Sequence, residues 1–157
     1  MPMTCRSLLA PAFATALLAA SGSAPAQTSK VQPGPASLDV TVTGLHSAKG
    51  MLLVCLWKEK PGFPTCQKSK TAVQRRVAIT ATTMRVDFTG IAPGRYAVTA
   101  QHDEDSDGKL KTNFIGMPKE GVGISNNPGG MPGWDKSLVQ VGPGTAIEVK
   151  IKYLFGG

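Results

Sequence analysis

The sequence has few aromatic residues, histidines and cysteines, and each shortage narrows the range of functions. Aromatic residues make up 6% of the chain, and none alternates with its main basic stretch, which argues against a nucleic-acid interface built on stacking. Two histidines and three cysteines are present, without a C-x-x-C pair, so a redox motif is unsupported and a zinc site is weakly supported. A G-x-S-x-G serine motif is also missing.

The chain also lacks an apolar run of the roughly 20 residues needed to span a bilayer. Its longest apolar run, residues 8–20, follows Arg6 and precedes Ala-Pro-Ala at 24–26, a small-x-small cleavage site. This order is typical of a secretory signal peptide over residues 1–26. The alternative, a buried core helix, would leave the segment without a polar face. We expect a periplasmic or secreted protein that does not span the membrane. It is not expected to be a lipoprotein, because no cysteine lies at the cleavage site.

Removal of the signal would take Cys5 away and leave Cys55 and Cys66. An even pair in an oxidising compartment predicts a disulfide. Closing so short a loop stabilises by roughly 2–3 kcal/mol in the chain-entropy model. The alternative is two free thiols packed as small apolar groups.

Acidic residues are also scarce, since 17 basic residues face 10 acidic ones. Six bases fall in one stretch that contains a single acid, Glu59; they are Lys58, Lys60, Lys68, Lys70, Arg75 and Arg76. Such a stretch suggests an anionic envelope component as partner. The alternative is a solvated loop that keeps the domain soluble.

Hydrophobic periodicity indicates strands. Residues 27–36 are polar and proline-rich, which predicts a flexible segment before a domain at 37–157. Residues 38–43 alternate with period two, and 51–57 (MLLVCLW) form a continuous apolar run typical of a strand covered on both faces. Five further strands are expected at 73–80, 84–88, 95–101, 137–141 and 146–153. About seven short strands predict an all-β fold, a single antiparallel β-sandwich.

Two segments interrupt or connect these strands. Residues 91–96 (IAPGRY) are typical of a Greek-key corner, in which Tyr96 bonds back to the backbone. Residues 116–133 are half Gly and Pro, and loops of this length are usually functional or disordered. Because the segment contains Met117, Val122, Ile124 and Met131, we expect an ordered excursion with Trp134 at its exit.

One dense acidic constellation carries the metal hypothesis. Asp103, Asp105 and Asp107 follow the D-x-D-x-D-G spacing of calcium loops, with Gly108 at the sixth position and the Lys109 carbonyl at the seventh. The motif is incomplete, because Phe114 stands where an EF-hand has its bidentate Glu.

The missing calcium ligands would come from elsewhere. Asn113 and Glu120 are the nearest candidates, Asn126 and Asn127 are others, and Asp135 is more remote. Lys109 and Lys111 oppose the cation, each by roughly 1 kcal/mol at about 7 Å. The alternative is an acidic, solvated hairpin in which Asp and Gly favour the turn for their own reasons.

The segment from Pro93 to Asn127 resembles the bacterial domain-of-unknown-function family 2141. The resemblance rests on PG-x-YAV, HDE-x-x-x-GKL, NF-x-G-x-PKEG and SNN, and extends more loosely from Leu38 to Tyr153. It implies an exported transthyretin- or immunoglobulin-like β-sandwich without an assigned activity. Lys111 departs from the family pattern, which often has Asp there, and Trp134 stands where Phe is common.

Three functions remain open. The first is a non-enzymatic binding or structural domain. In it, the acidic loop, as a candidate calcium site, forms one ligand surface with His102, Asn126, Asn127 and Trp134. The second is an envelope interaction module acting through the basic stretch. The third is a hydrolase using the acidic loop. Against the hydrolase, His102 and Asp103 are adjacent and should point to opposite faces of a strand, and nothing in the sequence brings His46 near His102.

Overall fold

In the computed structural model of the protein, residues 34–130 and 133–154 are described. The predicted signal peptide, its cleavage site, Cys5 and Met131 lie outside them. Eight strands occur in the described part, namely β1 (Ala36–Thr43), β2 (Met51–Trp57), β3 (Val73–Ala78), β4 (Met84–Ile91), β5 (Gly94–Asp103), β6 (Gly121–Ile124), β7 (Val139–Val141) and β8 (Thr145–Lys150). Helix is limited to a 3-10 turn at Cys66–Lys68 and one α-helical turn, α1 (Trp134–Ser137). No helix among these residues is long and apolar enough to cross a membrane.

The strands form two sheets, as the all-β prediction required. The smaller sheet has the order β4-β1-β8, and the larger has the order β3-β2-β5-β6 with β7 also paired to β5. The prediction of antiparallel pairing throughout was wrong, because β1 pairs with β8 in parallel over Leu38–Thr43. Parallel neighbours need a long connection, and the whole of the chain between β1 and β8 provides it. Pairing direction could not be read from the alternation of either strand.

The two sheets share one hydrophobic core. Leu38, Val40 and Val42 of β1 are fully buried and contribute to it together with Leu52 and Val54 of β2. The period-two prediction for β1 is therefore confirmed, and β1 begins at Ala36, inside the segment expected to be flexible.

A second, smaller cluster covers the outer face of the larger sheet. It contains Leu53, Cys55 and Trp57 of β2, with Phe63 and Trp134 packed around them. This cluster explains why MLLVCLW is apolar without interruption, since both faces of β2 are covered. The predicted disulfide is confirmed between Cys55 and Cys66, whose Cα atoms lie 6.1 Å apart. It fastens the connection after β2 onto this outer face.

The hydrogen bond that the sequence predicted from Tyr96 back to the backbone is confirmed. The Tyr96 hydroxyl donates a hydrogen bond of 2.7 Å to the Ala92 carbonyl, four residues upstream. The ring is 6% exposed and belongs to the shared core. Tyr96 is thus a structural residue that fixes the turn into β5.

The Gly/Pro segment 116–133 contains a strand that the sequence reading did not find. Gly121 and Gly123 of β6 face β8 and the residues after it, where a Cβ would lie 2.4 Å from the Tyr153 ring and 2.8 Å from the Lys150 carbonyl oxygen, respectively. These two glycines make the segment look like a loop in the sequence. In the structure, their lack of a side chain lets β6 approach β8 closely. Alternating glycine with Val122 and Ile124 was the available signal.

Gly123→Ala tests this close approach. The added methyl group meets a backbone carbonyl that cannot rotate away, so we expect a loss of about 1–3 kcal/mol in the free energy of unfolding, measured by urea titration. Gly129→Ala in the same segment is the matched control, because a Cβ there meets nothing within 4 Å. Equal stability of both variants and the wild type would contradict the packing argument.

Candidate functional site

Strand β5 places the candidate residues on two opposite faces. Thr99, Gln101 and Asp103 point to the outer face of the larger sheet, whereas His102 points inward beside the shared core. His102 is fully buried and Asp103 is 2% exposed. The prediction that these two neighbours do not meet is confirmed by their separate hydrogen-bond partners.

Asp103 organises the acidic turn that follows β5. Its carboxylate accepts hydrogen bonds from the Asp107 amide at 3.1 Å and the Gly108 amide at 2.8 Å. The Arg76 guanidinium lies 2.9 Å from the same carboxylate and also donates to the Ser106 carbonyl. A buried carboxylate needs such partners. Here the protein's own amides and Arg76 supply them, and these hydrogen bonds fix the turn.

Three carboxylates converge beside this turn. One oxygen each from Asp103, Asp105 and Glu120 lies within 4.8 Å of the other two. Asp107 does not belong to this trio, and its carboxylate accepts a hydrogen bond of 2.8 Å from the Lys109 amide. The Lys111 ammonium pairs with Asp105 and lies 3.7 Å from Asp107, so a cation of the chain already sits among the acids.

Two other expected ligands have partners of their own. The Lys109 carbonyl accepts a hydrogen bond of 3.2 Å from the Gln101 amide group. The Asn113 side chain accepts from the Ile115 and Met117 amides, at 3.1 and 2.9 Å, and so closes a local turn.

Glu120 has a perturbed pKa. Burial raises the pKa of its carboxyl above the ordinary value, and the negative charges of Asp103 and Asp107 act in the same direction. Hydrogen bonds from the Gln101 side chain and the Lys111 amide oppose that rise in pKa without cancelling it. Removal from water is thus the main reason why ionisation of Glu120 is disfavoured.

The residues expected to form a ligand surface hold chain segments together. Asn126 donates to the Lys136 and Leu138 carbonyls, and Asn127 accepts from the Lys150 amide at 2.7 Å. Both asparagines have positive φ, +63° and +44°, which asparagine tolerates better than most residues. Trp134 packs edge-on against Phe63 with ring centroids 5.3 Å apart. Of these residues, Asn127 also reaches the groove described next.

A groove of about 1060 Å³ runs along the outer face of the larger sheet. Its floor includes Leu53, Thr99 and Gln101, and its walls come from the loops around residues 64–68, 109–118 and 127–130. Most lining side chains are apolar, among them Leu110, Ile115, Met117, Val122, Ile124 and Leu154. Among the described residues, the charged side chains that line it are all lysines, namely Lys68, Lys109, Lys150 and Lys152.

Part of the basic stretch is engaged within the chain. Arg76 pairs with Asp103, the Lys58 ammonium lies 4.5 Å from the Tyr96 ring centroid, and the Arg75 guanidinium lies 5.6 Å from that of Phe88. Lys60, Lys68 and Lys70 are exposed, and Lys68 faces the groove. A role of this stretch in binding an anionic partner stays a prediction.

The structure brings the two histidines together, which the sequence reading did not anticipate. The ring centroids of His46 and His102 lie 5.5 Å apart, and Tyr153 stacks on His46 at 3.9 Å. His46 Nε2 is 2.9 Å from Glu104 Oε1. The juxtaposition depends on the loop after β1 crossing the end of β5, where Gly50 at φ +79° leaves no room for a Cβ beside the Asp103 carbonyl. Glycine at position 50 was the one local hint.

Comparison with known proteins supports the family resemblance. The profile of a family described as "Uncharacterized protein conserved in bacteria (DUF2141)" matches residues 40–148. No curated protein and no solved structure gives a significant match. The resemblance inferred from the motifs between Pro93 and Asn127 is thus confirmed.

The raised pKa of Glu120 predicts how pH acts on stability. At a pH below the pKa that Glu120 has in the unfolded chain, its carboxyl is protonated in both states. As the pH rises from there through the higher pKa of the folded state, the unfolded state ionises Glu120 more readily, so the free energy of unfolding falls. Glu120→Gln keeps a neutral side chain and should gain stability relative to wild type between about pH 4 and pH 7. Urea unfolding of both proteins across this range measures the difference. A difference that is constant or that shrinks with rising pH would contradict the raised pKa.

Proposed function

This chain belongs to the bacterial DUF2141 family, and from its outer groove we propose that it is an exported, non-enzymatic binding domain for an amphipathic anion. The observation that carries the proposal is the groove lining, which combines apolar walls with four lysines. A ligand with an apolar body and one anionic group satisfies both features. Such a molecule fits the second expectation from the sequence, an anionic envelope component as partner.

The size and exposure of the groove support a ligand of this kind. A volume of about 1060 Å³ is at the upper end of small-molecule sites, which typically occupy about 300–1,000 Å³. Ile115, which lines the groove, is 64% exposed, and its chain neighbour Phe114 is 98% exposed. Large apolar side chains this exposed are typical of a surface that contacts a ligand or partner.

The compartment and the fold are parts of the same proposal. The disulfide between Cys55 and Cys66 favours an oxidising compartment, as does the predicted signal at residues 1–26. We assign the two sheets to one immunoglobulin- or transthyretin-like Greek-key sandwich, on the strength of their shared core and the Tyr96 corner. Recovery of the protein in the cytoplasmic fraction, with its N-terminus intact, would contradict export.

Binding of dodecanoate, below its micelle concentration, tests the groove directly. Isothermal titration should give saturable 1:1 binding, whereas butyrate lacks the apolar chain and dodecanol lacks the charge, so both should bind more weakly. Replacing Lys150 and Lys152 by Gln removes two nearby charges, each worth about 1 kcal/mol at 4 Å in water. The dissociation constant should therefore rise by about tenfold or more.

The matched control replaces Lys60 and Lys70 by Gln. Both are exposed and neither lines the groove, so net charge changes equally while dodecanoate affinity should stay within about twofold of wild type. Equal loss of affinity in both double variants would assign binding to net charge alone and contradict the groove. Dodecanol binding as tightly as dodecanoate would contradict a role for the lysines.

Calcium at the carboxylate trio is a second candidate, favoured by the convergence of Asp103, Asp105 and Glu120. Calcium prefers such hard oxygen ligands, and the negative charges of Asp103 and Asp107, which add to the effect of burial on the pKa of Glu120, would be partly offset by a cation. Arg76 and Lys111 compete with the ion for Asp103 and Asp105. We therefore expect the wild type to bind calcium weakly, and the affinity to rise when the positive charge of Lys111 is removed.

Lys111→Asp tests the calcium proposal and supplies the residue common in the family at this position. Replacing a cation by a carboxylate should strengthen calcium binding by about tenfold or more, because each unit charge a few ångströms away is worth about 1 kcal/mol. The melting temperature of chelator-treated protein with and without calcium measures the change. Lys136→Asp on α1 is the control for net charge. If calcium leaves the melting temperatures of both the wild type and Lys111→Asp unchanged, the calcium proposal is wrong.

A further inference from the structure

We propose that His46, His102 and Glu104 form a binding site for a divalent transition cation of the Zn²⁺ class. One ligand atom from each residue lies within 4.8 Å of the other two. His46 comes from the loop after β1, whereas His102 and Glu104 come from the end of β5. The site lies on the inward side of β5, opposite the outer face that carries the groove and the acidic trio.

His102 has the arrangement expected of a metal ligand. Its ring is fully buried, and Nε2 lies 2.8 Å from the Lys49 carbonyl oxygen, which can only accept a hydrogen bond. Nε2 therefore carries a proton, and Nδ1 is left with its lone pair in the neutral ring. Metal-binding histidines typically donate their second ring N–H to such a carbonyl, which fixes the tautomer and the ring orientation.

The Tyr153 hydroxyl now occupies the position in front of that lone pair. It lies 2.5 Å from His102 Nδ1. Because Nδ1 carries no proton in this tautomer, the tyrosine hydroxyl donates its hydrogen to the imidazole. A cation at this point replaces the hydroxyl hydrogen as the partner of Nδ1. The tyrosine keeps its proton and moves aside.

Glu104 and His46 complete the ligand set. The Ser47 hydroxyl donates to Glu104 Oε1 at 2.8 Å, and His46 Nε2 lies 2.9 Å from the same oxygen. These two hydrogen bonds hold the carboxylate beside the His46 ring. A cation between the two groups takes the place of their shared proton, and His46 then carries its proton on Nδ1.

The distances are compatible with a tetrahedral ion after small side-chain movements. Ligand atoms at about 2.0–2.1 Å from zinc lie roughly 3.4 Å apart, compared with 2.9 Å for the His46–Glu104 pair and at most 4.8 Å for the others. His46 and Glu104 are 38% and 45% exposed at their side chains, so both can adjust and the ion can enter from solvent. Two histidines and one glutamate leave a fourth position for water.

The ligand types separate this site from the carboxylate trio. Imidazole nitrogen favours zinc, copper and nickel, whereas an all-oxygen set favours calcium or magnesium. The Irving–Williams order further predicts that Cu²⁺ binds the histidine site more tightly than Zn²⁺. The two sites should therefore respond to different ions, and each can be disabled without the other.

Thermal unfolding of tag-free, chelator-treated full-length protein with ZnCl₂ tests the site. At a hundredfold excess over the dissociation constant, we expect the melting temperature to rise by about 5 °C or more. His46→Gln and Glu104→Gln should each reduce the zinc affinity at least about tenfold. Glu120→Gln is the matched control, and should leave the zinc response unchanged. The tests avoid His102 because a substitution of that buried ring is expected to impair folding.

Electron paramagnetic resonance with Cu²⁺ identifies the ligands independently of stability. The wild type should show superhyperfine splitting from two imidazole nitrogens, and His46→Gln from one. No zinc-dependent rise in melting temperature would overturn the proposal, as would a rise that survives in both His46→Gln and Glu104→Gln. A zinc response lost in Glu120→Gln but kept in Glu104→Gln would assign the ion to the carboxylate trio and also overturn it.

Discussion

Burial of β5 on both faces is the constraint on which the rest of the structure depends. The strand pairs with β2 on one side and with β6 and β7 on the other, so its side chains have only the two faces of the sheet available. Alternation then sends Tyr96, Val98, Ala100 and His102 into the shared core and Thr99, Gln101 and Asp103 to the outer face. Burying a charged or polar group without a partner is costly. His102 on the inner face and Asp103 on the outer face are therefore each surrounded by a cluster of hydrogen-bonded groups.

The clusters around Asp103 and His102 differ in the charge of the groups that stabilise the buried side chain. On the outer face, Asp103 is neutralised by Arg76 and backbone amides, and Lys111 is placed among Asp105 and Asp107. The chain thus supplies the cations that a calcium loop would take from solution. On the inner face, His102 is satisfied by a carbonyl and a phenol, both neutral. That difference is why the histidine cluster, whose ligands are not already paired with fixed positive charge, is the better transition-metal candidate.

Local chemistry made much of the fold predictable from sequence. Period-two alternation identified β1, the continuous apolar run identified β2, and the IAPGRY segment identified the Tyr96 corner, because each pattern reflects contacts within or next to its own strand. What failed depended on distant residues. The parallel pairing of β1 with β8 and the strand β6 are decided by partners about twenty residues away or more. The candidate sites also depend on distant residues. His46, Glu104 and Tyr153 share no sequence motif, and the path of the chain after the acidic turn brings Glu120 into the trio in place of the predicted Asp107.

A crystal structure of the protein with dodecanoate is the most direct test of the central claim, that the outer groove is the ligand site. The account predicts the carboxylate within hydrogen-bonding distance of Lys150 or Lys152, and the alkyl chain lying over Leu53 and Val122. Electron density for the ligand between the two sheets or on the face of β4-β1-β8, with the groove left to solvent, would contradict it.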